Sequence, residues 1–438
     1  MNCINVLRAG ARLIALLLVV ALLGTAFGQD DTVTIVYWDE PQSPGAEVVI
    51  NQIIENFEAA NPGVDVVREV IGWEVLRDIA KTSIEAGEGP DIMYYDAGPG
   101  YMGILATAGL LYPLDDAYAM YGWDDRLVPT SRAFTTFDGH VYGVGHELEG
   151  GGLYWNKTIF AEEGLEPPAN MDELLALCGT FRERGYDVPM AAGWADINGM
   201  ALTHNWYPIL QNLVGPDLVA AAISGEHPWT DPGFVDAMNI VAGEMVDAGC
   251  FSDDAGSLGF LEGNMLFYSS QAPMMQMSTW AMQFLTFQYL IVDDIGFMAY
   301  PPFEGTPGAF KMSLGGTWVV VGDTEHPDET LALLDYFVSE EALPLWIEAN
   351  LLPVLSGIDY SQFELAPVYA DFTTLVSNWT GPVGYHVDIL TPAHFTTVMW
   401  EGLPEVAAGR RTAEEHAANM QAEMDKAIEE GTNFDITG

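Results

Sequence analysis

Aromatic and acidic side chains stand at the ends of short apolar segments, where they could contact a bound molecule. Indole rings cover flat apolar C–H faces, and carboxylates accept hydrogen bonds from hydroxyl groups, a combination that suits carbohydrate. Core packing is the alternative for each tryptophan, and a solvated surface position is the alternative for each acid. The candidate ligand-binding residues are Trp38, Glu40, Trp73, Asp96, Trp194, Trp280, Gly316, Trp318 and Trp379.

The first part of the chain must position three of these candidates. Residues 32–38 alternate as a strand, and apolar residues with helical spacing follow at 50–57. A second strand, a second helix and a third strand at 92–96 complete a strand–helix–strand–helix–strand pattern. This pattern predicts a parallel sheet with right-handed crossovers. Ligands of such sheets lie at the carboxyl ends of the strands, which here are Glu40, Trp73 and Asp96.

A later stretch, residues 315–354, combines a glycine pair, an apolar strand, a helix started by Pro327 and the sequence Asn-Leu-Leu-Pro-Val. This ordered set resembles the late signature of extracellular solute-binding proteins, the maltose-binding-protein-like sugar receptors of ATP-binding-cassette importers. Phe-x-x-x-x-Pro-Gly-Val at 57–64 and Gly-Pro-Asp-Ile at 89–92 are similar to the first lobe of that family. Residues 139–157 resemble its crossing to the second lobe, and residues 260–280 resemble a later block in which one methionine is displaced.

The resemblance implies an α/β, two-lobed periplasmic-binding-protein fold of the type II kind, each lobe a mainly parallel sheet flanked by helices. We expect residues 30–142 with 295–321 in the first lobe, and 143–294 with 322–438 in the second. Such a protein captures a neutral sugar or oligosaccharide by hinge closure and delivers it to a membrane permease. It needs no catalysis and no cofactor, and a monomer is expected.

The N-terminal segment is typical of export. Arg8 and Arg12 precede the apolar run 13–23 and a small-residue cleavage site near 28. A membrane anchor is the alternative, but the run is shorter than the roughly 18–20 residues a spanning helix needs. We therefore expect residues 1–28 to be a cleaved signal peptide, no membrane insertion after cleavage, and a periplasmic or extracellular protein.

The acidic composition excludes some partners. With 14 basic and 63 acidic residues, the formal net charge is −49, which disfavours nucleic acid and anionic membranes as partners. An anionic ligand would also find few basic groups, so a neutral sugar is favoured over a phosphate ester.

A secreted carbohydrate-active hydrolase with a carboxylate pair is the alternative function, because acids and tryptophans alone do not separate it from a receptor. His146-Glu147 begins like a zinc-protease motif, but Gly150 replaces the second histidine. No metal site is expected, since no two histidines have ligand spacing with a suitable third group. His386 and His394 are either rim contacts or surface residues. Cys178 and Cys250 form a disulfide or remain two buried thiols.

Overall fold

Strands and helices alternate along the computed structural model, which describes residues 32–196, 199–285, 295–434 and 436. The predicted signal peptide lies outside these residues. No helix in the described ranges is long and apolar enough to cross a membrane. The strands are β1 (Val33–Asp39), β2 (Val64–Val70), β3 (Ile92–Asp96), β4 (Thr136–Phe137), β5 (His140–Val141), β6 (Gly143–Gly145), β7 (Leu148–Asn156), β8 (Met190–Ala191), β9 (Met274–Ser278), β10 (Ile295–Ala299), β11 (Phe310–Leu314), β12 (Gly316–Val320) and β13 (Val383–Gly384).

The helices surround two sheets and carry most of the described residues outside them. The α-helices span Pro44–Ala60, Trp73–Glu85, Met102–Thr107, Asp115–Tyr121, Trp123–Arg126, Pro129–Ala133, Lys157–Glu163, Met171–Glu183, Met200–Val214, Pro216–Ile223, Pro232–Asn239, Met245–Asp247, Phe260–Tyr268, Ala281–Phe284, Pro327–Phe337, Leu343–Glu348, Pro367–Asn378, Ala393–Ala407 and Ala413–Glu430, with a π-helical turn at Ile240–Glu244 and 3₁₀ turns at Ala255–Ser257, Tyr360–Gln362 and Asp388–Leu390.

The first lobe is built on a five-stranded sheet of order β2-β1-β3-β12-β6. β1 is parallel to β2 and β3, whereas β12 is antiparallel to both β3 and β6. The helix Pro44–Ala60 starts where Ser43 Oγ accepts a hydrogen bond from the amide of Ala46 and proline occupies the first turn. Its apolar face, which includes Ile53 and Phe57, is buried in the core of this lobe.

The second lobe is built around β7, a strand of nine residues. β9, β10 and β11 all pair antiparallel with β7, and short parallel strands β8 and β13 lie at the two edges. The α/β class and the two-lobed architecture are therefore as predicted. In each of these two sheets one strand runs against the others, β12 in the first and β7 in the second. The chain enters the second lobe along β7. β9, β10 and β11 follow later in the chain and run in the opposite direction beside it. Hydrophobic pattern alone does not reveal strand direction.

The expected lobe boundaries need correction at three places. β10 and β11 pair with β7 in the second sheet, although residues 295–321 were expected in the first lobe. β6 lies in the first sheet, although residue 143 was expected to begin the second lobe. The helix Pro327–Phe337 and residues up to Val354 pack into the first core, not the second. The sequence pattern of an amphipathic helix predicts that one face is buried, but it does not predict which sheet covers that face.

The chain changes sheets between β6 and β7, between β11 and β12, and again after Val354. β12 lies in the first sheet, beside β3, as expected for residues 315–321. Cys178 and Cys250 form a disulfide with a Cα–Cα distance of 4.8 Å, which decides between the two alternatives that the sequence left open. Both cysteines are buried in the second core.

Candidate functional site

A cavity of about 290 Å³ lies between the two lobes. This volume is close to the lower end of the roughly 300–1,000 Å³ typical of small-molecule sites. First-lobe residues reach it from the ends of β1 and β3, and second-lobe residues reach it from the segment after β9 and from residues 386–389. Its lining residues are Glu40, Pro41, Gln42, Trp73, Arg77, Tyr94, Asp96, Tyr101, Glu147, Glu149, Met200, His204, Phe260, Leu261, Trp280, Gln283, Phe284, Gly315, His386, Asp388, Ile389 and Trp400.

Hydrogen bonds join the lobes beside this cavity. Gln283 of the second lobe accepts a hydrogen bond from the amide of Ser43 at 2.9 Å and donates one to Gln42 Oε1 at 2.8 Å. Gly98 approaches Ile389 so closely that a Cβ there would overlap the Ile389 carbonyl oxygen. The lobes are thus in direct contact beside the cavity.

On the first-lobe face, one guanidinium organises an acid and two aromatic rings. Arg77 Nε and Nη2 donate to the two oxygens of Asp96 at 2.7 and 2.8 Å. The same guanidinium lies 4.6 Å from the ring centroid of Trp73 and 4.5 Å from that of Tyr101. A bidentate pair of this kind fixes the carboxylate in one orientation, so Asp96 presents its remaining lone pairs to the cavity in a defined direction.

Two other carboxyl groups of the cavity have no basic partner among the described residues. Glu40 Oε1 accepts a hydrogen bond from Gln42 Nε2 at 3.2 Å, and burial, reinforced by the charges of Asp96 and Asp39, raises the pKa of Glu40 to about 8. Glu147 is 5% exposed, and burial also raises its pKa, with Glu149 and Glu40 adding to the effect. Both groups can therefore donate a hydrogen bond as neutral acids near neutral pH.

The second-lobe face instead contains buried charges that are paired. Lys311 Nζ lies 2.9 Å from Glu149 Oε1, and His386 Nε2 lies 2.8 Å from Asp388 Oδ1. Burial lowers the pKa of His386, but the neighbouring Asp388 raises it. The resulting pKa of His386 is about 9. Burial would raise the pKa of Asp388, but the neighbouring His386 and His204 hold it well below its usual value. Charged groups persist here because each has an opposite partner.

Three side chains on this face could hold a metal ion. The ligand atoms of His204, His386 and Asp388 all lie within 4.8 Å of one another, and all three residues are buried. His204 and Asp388 are separated by 184 positions, so spacing along the chain gave no sign of the cluster. The expectation of no suitable histidine pair rested on sequence spacing and missed this arrangement. His386 was expected at the rim or the surface, but it is 6% exposed.

The structure brings four of the nine predicted ligand-binding residues to the cavity: Glu40, Trp73, Asp96 and Trp280.

Three others lie in or beside the first-lobe core. Trp38 is buried and donates from Nε1 to Glu69 at 2.9 Å. Trp318 is buried, stacks on Phe337 and donates to the hydroxyl of Tyr37. The close approach that Gly316 permits is to the ring of Tyr94, 2.1 Å from where a Cβ would stand, and not to a ligand.

Trp194 and Trp379 lie on other parts of the second lobe. Trp194 lines a larger depression, about 740 Å³, that is formed by second-lobe residues including Arg410 and Arg411. Trp379 packs against Phe310 and donates to the carbonyl of Pro382 at 3.0 Å. The end of a strand limits where a residue lies but not which face its side chain takes, and this accounts for the misplaced tryptophans.

Sequence reasoning missed other lining residues, chiefly Arg77, Tyr101, Glu147, His204 and Asp388. Arg77 and His204 lie within helices, where a polar residue is usually a solvated surface group. The scarcity of basic residues was a signal that could have drawn attention to Arg77, since the chain has 14 Lys and Arg against 63 acids.

Comparison with known proteins agrees with this architecture. The family model described as bacterial extracellular solute-binding protein matches residues 41–344. A putative binding protein of Brucella abortus (strain 2308) is 30% identical over 176 residues, and the match spans 40% of this chain and 41% of that relative. The multiple sugar-binding protein of Streptococcus mutans is 22% identical over 74% of this chain and 76% of its own length.

Solved structures share the fold. A chitin oligosaccharide binding protein superposes with a TM-score of 0.81 at 21% identity, covering 91% of this chain and 99% of that one. The maltose/maltodextrin-binding domain MalE from Bdellovibrio bacteriovorus gives a TM-score of 0.72 at 18% identity, covering 91% and 100%. The family model spans well over half of the sequence, and the resemblance inferred from motifs is confirmed. The chain belongs to the bacterial extracellular solute-binding protein family.

Proposed function

We propose that this protein captures a neutral sugar or short oligosaccharide in the cavity between its lobes, outside the cytoplasmic membrane, and delivers it to the permease of an ATP-binding-cassette importer. The observation that carries the proposal is the cavity itself, because both lobes supply it with aromatic rings and hydrogen-bonding groups. A ligand that touches both lobes stabilises their closed arrangement. The names of the relatives, which include sugar-binding proteins, point the same way.

Particular side chains suit particular parts of a sugar. Trp280 is half-buried at the cavity, where its ring lies close to those of Phe260 and Phe284, and its indole suits the apolar face of a sugar. Asp96, held by Arg77, accepts hydrogen bonds from hydroxyl groups, and neutral Glu40 donates one. The small volume favours one or two sugar rings over a long chain.

The family consists of binding proteins, so we propose no reaction for this cavity. A hydrolase with the same pocket would convert an oligosaccharide into shorter products. Incubating the protein with each bound sugar and analysing the solution by chromatography separates the two functions, and we expect the sugar to be recovered intact.

Ligand identity is tested by a thermal-shift screen of mono- and disaccharides, α-glucosides included, followed by titration calorimetry. A ligand at 100 times its Kd adds about 2.7 kcal/mol to stability. Trp280→Ala should weaken binding of the selected sugar about 10- to 100-fold. Asp96→Ala should weaken it about 5- to 150-fold through loss of a polar partner costing about 1–3 kcal/mol.

Trp379→Ala is the matched control, because this tryptophan lies away from the cavity and its removal should leave affinity unchanged. Stabilisation by no sugar, or equal loss of affinity in the Trp280 and Trp379 variants, contradicts the proposal. Delivery is measured by ATP hydrolysis of the permease in vesicles, which sugar-loaded protein should stimulate and Trp280→Ala at the same sugar concentration should stimulate less.

A further inference from the structure

Three potential metal ligands converge on the second-lobe face of the cavity. His204 projects from the helix Met200–Val214, while His386 and Asp388 belong to the segment that leads into the 3₁₀ turn Asp388–Leu390. His386 Nε2 lies 2.8 Å from Asp388 Oδ1, and His204 Nε2 lies 3.4 Å from Asp388 Oδ2. All three side chains are more than nine-tenths buried and also line the cavity.

The short contact between His386 and Asp388 is not a well-aligned hydrogen bond. Asp388 Oδ1 and both ring nitrogens of His386 have no hydrogen-bond partner of acceptable geometry among the described residues, and the same holds for His204 Nδ1. In a hydrogen bond the N–H vector points at the acceptor. These buried polar atoms therefore have unsatisfied bonding capacity, which an ion bound between them would satisfy.

A carboxylate, that of Glu149, lies near the ring nitrogen of His386 that does not face Asp388. Glu149 Oε1 lies 3.5 Å from His386 Nδ1, on the side of the ring away from Asp388, and Lys311 fixes Glu149 at 2.9 Å. The negative charge of this carboxylate favours a cation at the other ring nitrogen of His386. The negative charge of Glu149 compensates the positive charge of Lys311, so Lys311 repels a nearby cation only weakly.

We propose that His204, His386 and Asp388 bind one divalent transition-metal ion, for which zinc is the best fit, with an open coordination position facing the cavity. Two imidazoles and one carboxylate are a donor set that suits zinc and its neighbours, whereas Ca²⁺ and Mg²⁺ prefer oxygen ligands. Zinc–ligand distances are about 2.0–2.2 Å, so the three side chains shift when the ion binds, and His386 Nε2 and Asp388 Oδ1, now 2.8 Å apart, separate slightly. The open position is where a hydroxyl oxygen of a ligand or a water molecule completes the coordination.

The test uses tag-free full-length mature protein, stripped with EDTA and titrated with ZnCl₂ alone, so that it does not depend on any sugar. We expect one zinc per chain by elemental analysis after gel filtration, a saturable calorimetric isotherm and a rise in Tm. CaCl₂ and MgCl₂ should give no bound metal, no saturable isotherm and no rise in Tm. Substitution with Co²⁺ should give the visible absorption bands of a low-symmetry nitrogen–oxygen site, a measurement that needs no variant.

His204→Gln and His386→Gln should each weaken zinc binding at least 100-fold. The matched control is His227→Gln, which removes a histidine that lies 3.1 Å from Asp231 in a half-exposed pair elsewhere in the second lobe, and its zinc affinity should be unchanged. Circular dichroism before titration shows whether each variant is folded. If a variant is unfolded, the cobalt spectrum of the wild type tests the proposal instead.

Two outcomes overturn the proposal. If wild-type protein binds no stoichiometric zinc, His386 and Asp388 form a buried ion pair only. Alternatively, zinc binding retained in both histidine variants shows adventitious surface binding. Neither outcome bears on sugar binding, which the thermal-shift screen measures with EDTA present and again with zinc.

Discussion

Glu147 and Glu149 lie two positions apart where the chain passes from the first sheet to the second, and their environments are opposite. Both are buried to the same extent, 5% and 4% exposed. Glu147 has no basic partner among the described residues, and burial raises its pKa. Burial would also raise the pKa of Glu149, but Lys311 and His386 hold it well below its usual value. Burial is therefore equal for the two residues, and the presence of a neighbouring cation decides which one carries a charge.

Two histidines repeat the contrast. His146 lies among the rings of Tyr94, Trp318 and Trp346, and burial lowers its pKa to about 3, so it is neutral. His386 faces Asp388 and Glu149, and its pKa is about 9. Glu147 and His146 are thus buried without a charged partner and neutral, whereas Glu149 and His386 are buried, paired and charged.

The largest effect is expected from removing the cation of the second lobe. Lys311→Met keeps most of the aliphatic side chain but removes the nearer of the two cations beside the buried Glu149, and breaking a buried pair costs about 3–5 kcal/mol. Urea denaturation at pH 7 measures the loss. A change below about 1 kcal/mol would show that Lys311 and Glu149 are not a charged pair, and the contrast with Glu147 would fail.

The disulfide makes the second lobe different in a further way. Cys178 and Cys250 close a segment with a sequence separation of 72, and closing a loop of this length contributes about 4.4 kcal/mol to stability. The double variant Cys178→Ala/Cys250→Ala should lose roughly that much stability. Hydrogen exchange should show the loss of protection mainly in the second lobe, and equal loss in both lobes would contradict the assignment of the bridge to one core.

A smaller and pH-dependent effect is expected at Glu147. Its folded pKa lies above the unfolded value of about 4.3, so the unfolded state ionises first as pH rises, and the wild type loses stability above about pH 4. Glu147→Gln should remove that loss. We expect it to be more stable than wild type by about 1–3 kcal/mol at pH 8 and equal to it at pH 4.

The control for this change is Glu88→Gln, at an exposed position. Its stability relative to wild type should be the same at both pH values. A Glu147→Gln protein whose relative stability does not vary between pH 4 and pH 8 would mean that Glu147 is solvated or paired in solution.

The smallest effect is expected from an exposed ion pair of the second lobe. Lys157 Nζ lies 2.8 Å from Asp371 Oδ2, as short as the buried pairs, but both side chains are about one-third exposed. Lys157→Met should cost less than about 1 kcal/mol, because solvent screens exposed pairs. If it costs as much as Lys311→Met, burial is not what distinguishes the two lysines.

Part of the fold could be predicted from local pattern. The strand–helix alternation of residues 33–96, the proline-started helices and the capping box at Thr412 are all encoded within a few neighbouring residues. The partners of β7 could not be predicted in this way. They come from residues 274–278, 295–299 and 310–314, so their direction depends on the path of the whole chain.

The candidate site divides in the same way. Glu40, Trp73 and Asp96 were found because the carboxyl ends of parallel strands meet at one edge of a sheet. Trp38 and Trp318 were misplaced because a strand end does not fix the face of a side chain, and their rings fill the first-lobe core instead.

By itself, the sequence determined the family, the α/β elements, the acidic character and the aromatic and acidic residue types of the candidate site. Each of these depends on composition or on residues close along the chain. The tertiary structure alone decided which acids are paired, that the two cysteines are bridged, and that His204 meets His386 and Asp388. These are contacts between residues tens to hundreds of positions apart. Burial and neighbouring charge set the state of a titratable group, and both are properties of the folded chain.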